Sequence, residues 1–327
     1  MACGNLLIMQ VHRDIQNLPE FRNAVLTIGT FDGVHKGHQL VIGQLKWVAE
    51  ELEGESIILT FHPHPRRVIG NQDAQIRMLN TLDEKIDLLA NTGIDHLVVI
   101  PFTEQFAMLS PVEYIQQILI ANFKPKAIVI GYDHHFGRNR EGNYALLEAL
   151  QNGYGYKLYE IPEKFINNIT ISSTKIRSCI LNGQIAAAND FLGYPYFFEG
   201  TIIHGNKLGR SIGYPTANIQ VEDRDKLLPS YGVYAVMSQL IGDQKNERGE
   251  LKGMLNFGVR PTVQGGKESI EVHLFDFDEE IYGQGIRIYL HHRLRGEQKF
   301  PGLDALKDQL KKDEELSRML LEVRTTI

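Results

Sequence analysis

Gly29-Thr-Phe-Asp-Gly-Val-His35-Lys-Gly-His38 lies between an apolar run, Ala24-Val25-Leu26-Thr27-Ile28, and an amphipathic stretch whose stripe is Val41, Leu45, Val48 and Leu52. The run reads as a buried strand, and the stripe puts four apolar side chains on one helical face. The decapeptide therefore joins a strand to a helix N-terminus, where free amides and the positive end of the dipole attract an anion. His35 and His38 stand three apart with Gly37 between them, so both imidazoles are expected to face one ligand while the backbone approaches closely. Imidazoles suit phosphate: they donate hydrogen bonds and, when protonated, offset its charge.

Outward from this segment the same rhythm repeats. A second strand spans Ser56 to Phe61. Thr81-Leu-Asp-Glu84 and Ser110-Pro-Val-Glu113 are capping boxes, the second with Pro111 at the first helical position, and each starts a helix. Apolar runs follow at Asp95 to Ile100 and Ala127 to Ile130, and a further helix–strand pair at Tyr144 to Leu150 and Tyr156 to Ile161. Strands separated by helices need crossover connections, so this half is expected to be α/β: a doubly wound, Rossmann-like parallel sheet with helices on both faces.

After a helical passage, Ser173 to Leu192, the rhythm changes to strands. They are expected at Phe197 to His204, Thr216 to Ile219, Gly232 to Leu240, Leu251 to Phe257, Ile270 to Phe277 and Ile286 to Leu294. Ile270, Val272 and Leu274 alternate with Glu271, His273 and Phe275, and the turns are rich in Gly and Asn. This is the pattern of an antiparallel sheet or small barrel. A terminal helix with Leu303, Leu306 and Leu310 on one face is expected to pack against it. The division between the halves is placed at residue 185, giving domains 1–185 and 186–327.

A chain of 327 residues with net charge -6 is long enough for two cores and carries no excess of positive charge for a nucleic-acid backbone. Cys3 and Cys179 are far apart and form no metal or disulfide pattern, which fits a reducing compartment. No apolar run reaches membrane-spanning length, so a cytoplasmic chain without membrane or nucleic-acid partners is expected.

The second segment able to hold phosphate is His204-Gly-Asn-Lys-Leu-Gly-Arg210-Ser-Ile-Gly-Tyr-Pro-Thr216-Ala-Asn218. Gly205, Gly209 and Gly213 recur every four residues in a loop between strands, letting backbone amides close on phosphates. Thr216 and Asn218 point to one side of the next strand. Their oxygens suit Mg²⁺, a hard ion. No Walker A segment, protein-kinase signature or dinucleotide fingerprint occurs, so any kinase chemistry must use another scaffold.

These segments resemble a known family. His35-Lys-Gly-His38 is the signature of the nucleotidyltransferase superfamily. With Phe31-Asp32-Gly33 before it, the string is similar to the FMN adenylyltransferase module of bacterial bifunctional riboflavin kinase/FMN adenylyltransferases. Thr60-Phe-His-Pro-His-Pro65 looks like that module's second motif. Gly131-Tyr-Asp133 with Phe136-Gly137 looks like its third, although His134 stands where an aromatic residue is usual. Ile171-Ser-Ser-Thr-Lys-Ile-Arg177 resembles its closing motif, in which Asn168-Ile169-Thr170 replaces a basic residue that often precedes it. The resemblance assigns Gly29, Phe31, Asp32, Gly37, Asp133, Ser173, Thr174 and Arg177 to ATP, and His62, Pro63, His64 and Arg66 to the flavin, with His35 and His38 catalytic.

The glycine loop is similar to that of the riboflavin kinases, whose Pro-Thr-Ala-Asn motif holds metal and ATP phosphates. Pro229 to Tyr234, Asn256 to Thr262, Glu271 to Asp276 with Tyr282-Gly283, and Leu294 to Phe300 look like its further segments. On this likeness Gly205, Gly209, Arg210 and Gly213 meet ATP, Thr216 and Asn218 hold Mg²⁺, Arg295 lies on the flavin side, and Glu271 is the general base. The implied enzyme phosphorylates riboflavin to FMN with its C-terminal half and adenylylates FMN to FAD with its N-terminal half, using ATP twice. The other reading is a nucleotidyltransferase for a different substrate with an accessory β domain.

Overall fold

Successive side chains of the buried strands point to opposite faces of a sheet, and in this protein both faces are covered. Val25, Ile58, Leu97 and Val129 pack on one side with Ile42, Leu45, Val48 and Leu89. Leu26, Ile28, Ile57 and Leu59 pack on the other with Tyr114, Ile115, Leu119 and Leu147. Strands buried on both faces lose the alternation of polar and apolar residues, which is why they read as continuous apolar runs.

The computed structural model describes residues 9–69, 76–132, 134–161, 171–205, 208–242, 249–260 and 267–322. The chain divides into two units, Met1–Ser173 and Thr174–Ile327. In the first, β1 (Gln10–His12), β2 (Val25–Ile28), β3 (Ser56–His62), β4 (His96–Pro101), β5 (Ala127–Gly131) and β6 (Lys157–Ile161) lie in the order β1-β4-β3-β2-β5-β6. Every neighbouring pair is parallel. The edge strand β1 has three residues and shows too little pattern to be legible in the sequence.

Helices α1 (Lys36–Glu51), α2 (Pro65–Ile69), α3 (Leu82–Ala90) and α4 (Tyr144–Tyr154) connect the strands. Both capping boxes form as expected, hydroxyl to amide and glutamate to cap amide. The helix begun at Ser110 opens into a π-helical stretch, Tyr114–Ile120, which nothing in the sequence pattern announces.

The division falls after the first residue of α5 (Ser173–Leu181), and α6 (Ile185–Leu192) follows in the second unit. Six strands then close into a barrel, in the order β10-β11-β8-β7-β12-β9. They are β7 (Phe197–Ile203), β8 (Ala217–Gln220), β9 (Gly232–Ile241), β10 (Leu251–Arg260), β11 (Lys267–Leu274) and β12 (Gly285–Arg295), all paired antiparallel. Closure leaves no unpaired edge.

The terminal helix, α7 (Leu303–Glu322), packs on the barrel along the expected face, which carries the half-buried Leu306 and Leu310 and continues through positions 313, 317 and 321. Leu303 is 66% exposed, and the buried positions are Asp313, Ser317 and Leu321. Leu321 meets Ala235 and Met237 of β9. Asp313 lies on the same face and is paired with Arg295 at 2.7 Å.

Candidate functional site

The turn after β2 sits where the strand order reverses, with β3 on one side and β5 on the other, at the carboxyl edge of the sheet. Ligands of open α/β sheets bind in this crevice. Phe31 (φ 48°) and Val34 (φ 32°) both adopt left-handed backbone conformations. Such strain costs roughly 1–3 kcal/mol per non-glycine residue. Both are 2% exposed and belong to the α1-side core, which holds them in place. Gly37 is needed for close approach: a Cβ there would lie 3.1 Å from the ring of His35. At Gly29 it would lie 3.0 Å from the ring of Phe31.

His35 caps α1. Its Nδ1 accepts the amide of His38 at 3.3 Å. The two imidazoles stack, with centroids 3.7 Å apart and planes 14° from parallel. They are neutral at physiological pH. Burial pushes His35 down to about 4 despite the opposing pull of Asp32. Burial, the charge of His35 and the charge of Lys85 together hold His38 well below the usual imidazole value. The Nδ1 of His38 is buried and meets no hydrogen-bonding partner among the described residues.

Asp32, expected on phosphate, braces the loop. Its Oδ1 accepts the amides of Leu79 at 2.9 Å and Asn80 at 3.3 Å. Its carbonyl accepts the hydroxyl of Ser173 at 2.9 Å. That bond places the closing motif, at the first residue of its helix, against the loop. Thr174 is exposed and Arg177 is half-buried, both in the first turns of α5. Sequence reasoning missed Lys85. It is buried on α3, and its Nζ donates to the carbonyl of Thr30 at 2.7 Å. Burial pushes its pKa down to about 8. The capping box just before it was the available signal, since a fixed helix start fixes which side each residue faces.

The end of β3 carries the expected flavin residues. His62 and Pro63 are exposed and joined by a cis peptide bond, and His64 Nδ1 accepts the amide of Arg66 at 3.2 Å. The guanidinium of Arg66 is exposed at the start of α2. A row of rings runs beside them: Phe61, Phe102, Phe106, Tyr114 and Phe136, each 5.3–5.8 Å from the next. His134 stacks on Phe136 at 5.8 Å, so the imidazole fills a place in the aromatic row. Phe61 and Phe136 belong to the second and third motif segments, and Phe102, Phe106 and Tyr114 join them only through the fold. Asp133 lies outside the described residues.

In the barrel, Glu271 of β11 pairs in register with Asn218 of β8 on one side and Asn256 of β10 on the other. The hydroxyl of Thr216 donates to its Oε2 at 3.1 Å. The expected base and both expected metal ligands therefore meet at one point on the rim. The inward stripe Ile270, Val272 and Leu274 is buried and Glu271 faces away from it, as the alternation required. Gly205 is packed so tightly that a Cβ would overlap the amide of Asn218, and one on Gly209 would overlap the carbonyl of Tyr214. Gly213 has φ 87°, and Arg210 is exposed on a short helical turn, Leu208–Ser211. His273 Nδ1 lies 2.7 Å from the carbonyl of Pro215, bracing the start of β8.

Arg295, expected on the flavin side, is tied to the terminal helix. Its Nε and Nη2 grip Asp313 of α7 at 2.7–3.1 Å. The guanidinium is engaged in fastening the terminal helix to the barrel. No cluster of three or more His, Cys, Asp or Glu able to hold a metal occurs among the described residues. The oxygens of Thr216 and Asn218 are the donors that fit a hard cation.

A phosphate loop at the switch point of a parallel sheet and a glycine-lined barrel rim carrying a carboxylate define a two-site transferase for anionic nucleotide substrates. Residues 18–175 match the family model described as FAD synthetase, and residues 192–321 match that described as riboflavin kinase. A bifunctional riboflavin kinase/FMN adenylyltransferase of Haemophilus influenzae is 38% identical over 95% of this chain and 98% of its own length. The proteins so named in Listeria monocytogenes and Escherichia coli K12 are 39% and 35% identical, over 90% and 95% of this chain and 92% and 97% of theirs. A crystal structure from Streptococcus pneumoniae, described as a macrolide-efflux protein, superposes with a TM-score of 0.82 at 31% identity. It covers 95% of this chain and 99% of that one. No helix among the described residues is long and apolar enough to cross a membrane.

The chain belongs to the bifunctional riboflavin kinase/FMN adenylyltransferase family. It transfers phosphate from ATP to riboflavin to give FMN, and the adenylyl group of a second ATP to FMN to give FAD and pyrophosphate.

Proposed function

We propose that the two activities run at two separate sites with the residues above in defined roles, within catalytic domains 1–185 and 186–327. The observation that carries this reading is the meeting of Glu271, Thr216 and Asn218 on one rim, in a unit other than the one holding the stacked pair His35 and His38. In the barrel, Glu271 accepts the proton of the riboflavin hydroxyl as its oxygen bonds to the γ-phosphorus of ATP, and the bond to ADP breaks. General-base assistance of this kind contributes about 10²–10⁴-fold. Thr216 and Asn218 hold Mg²⁺, which when bound offsets the charge on the phosphates. Gly205, Gly209 and Gly213 admit the ATP backbone closely, and Arg210 meets phosphate from the exposed turn.

In the α/β unit an FMN phosphate oxygen bonds to the α-phosphorus of ATP and pyrophosphate leaves. His35 and His38 hydrogen-bond to the triphosphate. Its negative charge raises their proton affinity, so they become cationic as charge builds on the leaving group. Gly29, Phe31 and Gly37 shape the loop, with Asp32 and Ser173 securing it and Thr174, Arg177 and Asp133 meeting ATP. Arg66 meets the FMN phosphate beside His62, Pro63 and His64, and the rings of Phe61 and Phe106 offer the isoalloxazine an apolar wall. Dependence on intracellular ATP, together with two widely spaced cysteines, supports work in the cytoplasm.

The test separates the sites. Replacing His35 and His38 together by Ala is expected to abolish FAD formation from FMN and leave FMN formation within a few-fold. Glu271→Ala is expected to do the reverse. Loss of both activities in either folded variant would refute independent sites.

A further inference from the structure

Buried lysines are rare, because an ammonium loses its hydration and regains it only through well-placed acceptors. Lys85 is 6% exposed, yet it sits on the first turn of α3, where an anion rather than a cation suits the helix dipole. Three features fix it there. The capping box of Thr81 and Glu84 sets the helix start. The carboxylate of Asp32 holds the amides of Leu79 and Asn80, the segment leading into that helix. The Nζ of Lys85 then closes the ring by donating to the carbonyl of Thr30, which also accepts the hydroxyl of Thr60 at 3.2 Å.

The phosphate loop and the start of α3 thus form one braced unit, with Asp32 pinning the backbone of the helix approach and Lys85 pinning the backbone of the loop. Asp32 and Lys85 are opposite charges. If the ammonium served only to neutralise the carboxylate, it would be expected on the carboxylate oxygens. It is bonded instead to the loop carbonyl, and its field reaches His38.

We propose that Lys85 is a positioning residue for adenylyl transfer: it holds Thr30 so that the loop accepts the triphosphate, and it supplies a fixed positive charge at the base of the loop that stabilises the departing pyrophosphate. The charge acts through the loop and not by contact. In a water-excluded site a preset charge is worth far more than in solvent and needs no reorganisation during reaction. This rests on the reading that residues 29–38 bind ATP.

The test compares Lys85→Met, Lys85→Gln and Lys85→Arg in the full chain, with the double substitution of His35 and His38 as reference. Trp47 emission on α1 reports that each variant keeps its first unit folded. Lys85→Met is expected to lower kcat for FAD formation about tenfold or more and to weaken inhibition by pyrophosphate in parallel, with the KM for FMN unchanged within twofold. Gln keeps a donor but no charge and is expected to behave as Met, whereas Arg recovers most of the loss. Gln equal to wild type would overturn the electrostatic role, and Arg no better than Gln would do the same should Met fail to fold. A double histidine variant that loses FAD formation while all three Lys85 variants retain it would sink this proposal alone. Full FAD formation in the double histidine variant would sink the reading beneath it.

Discussion

The neutral state of His35 makes the stability of the α/β unit depend on pH in a defined window. In the unfolded chain its imidazole takes up a proton near pH 6.5, while burial in the fold delays this to about 4. Between those values the unfolded state binds one more proton than the native state, so stability rises with pH. The contribution is fully present above about pH 6.5 and is lost as the pH falls toward about 4. The whole interval corresponds to about 3 kcal/mol, of which about 2 kcal/mol is lost by about pH 5. With a urea m-value of roughly 2 kcal/mol per molar, that is a fall of about 1 M in the unfolding midpoint.

The chain has one tryptophan, Trp47, on α1 of this unit, so its emission follows the relevant transition. His35→Gln retains an acceptor for the His38 amide and removes the titrating group. Its urea midpoint is expected to fall by about 1 M less than that of wild type between about pH 7 and pH 5. Parallel curves for the two proteins would refute the buried neutral imidazole.

Gly205→Ala is expected to abolish most FMN formation while sparing FAD formation from supplied FMN, because the added methyl displaces the amide of Asn218; flavin chromatography reads both products. Asp313→Ala leaves Arg295 unpaired under α7 and is expected to destabilise the barrel by about 3 kcal/mol, read as a lower melting temperature of the C-terminal unit. Phe106→Ala is expected to raise the KM for FMN several-fold with little change in the KM for ATP, measured in initial-rate FAD synthesis.

The parts of the fold legible in the sequence were those set by local rules. Thr81 with Glu84 and Ser110 with Glu113 announce helix starts because the cap is complete within four residues. The alternation of Ile270, Val272 and Leu274 with Glu271 identifies the barrel face because strand geometry leaves only two choices. What escaped depends on partners far along the chain. Lys85 looks like an ordinary surface lysine until Thr30 is brought to it, and Arg295 looks free until Asp313 swings in from the terminal helix. The spacing of His35 and His38 foretells that their rings meet, but their neutrality follows from burial, which no spacing reveals.

Asp32 touches three parts of the chain: its own loop, the backbone at Leu79 and Asn80, and the hydroxyl of Ser173. Ser173 is the last residue of its unit. During synthesis the first two ties can be made early, but the third must wait until the C-terminal boundary of the unit has left the ribosome. The adenylylating loop is therefore completed only at the end of its own unit, and a nascent chain that has not yet released Ser173 cannot offer ATP the final geometry.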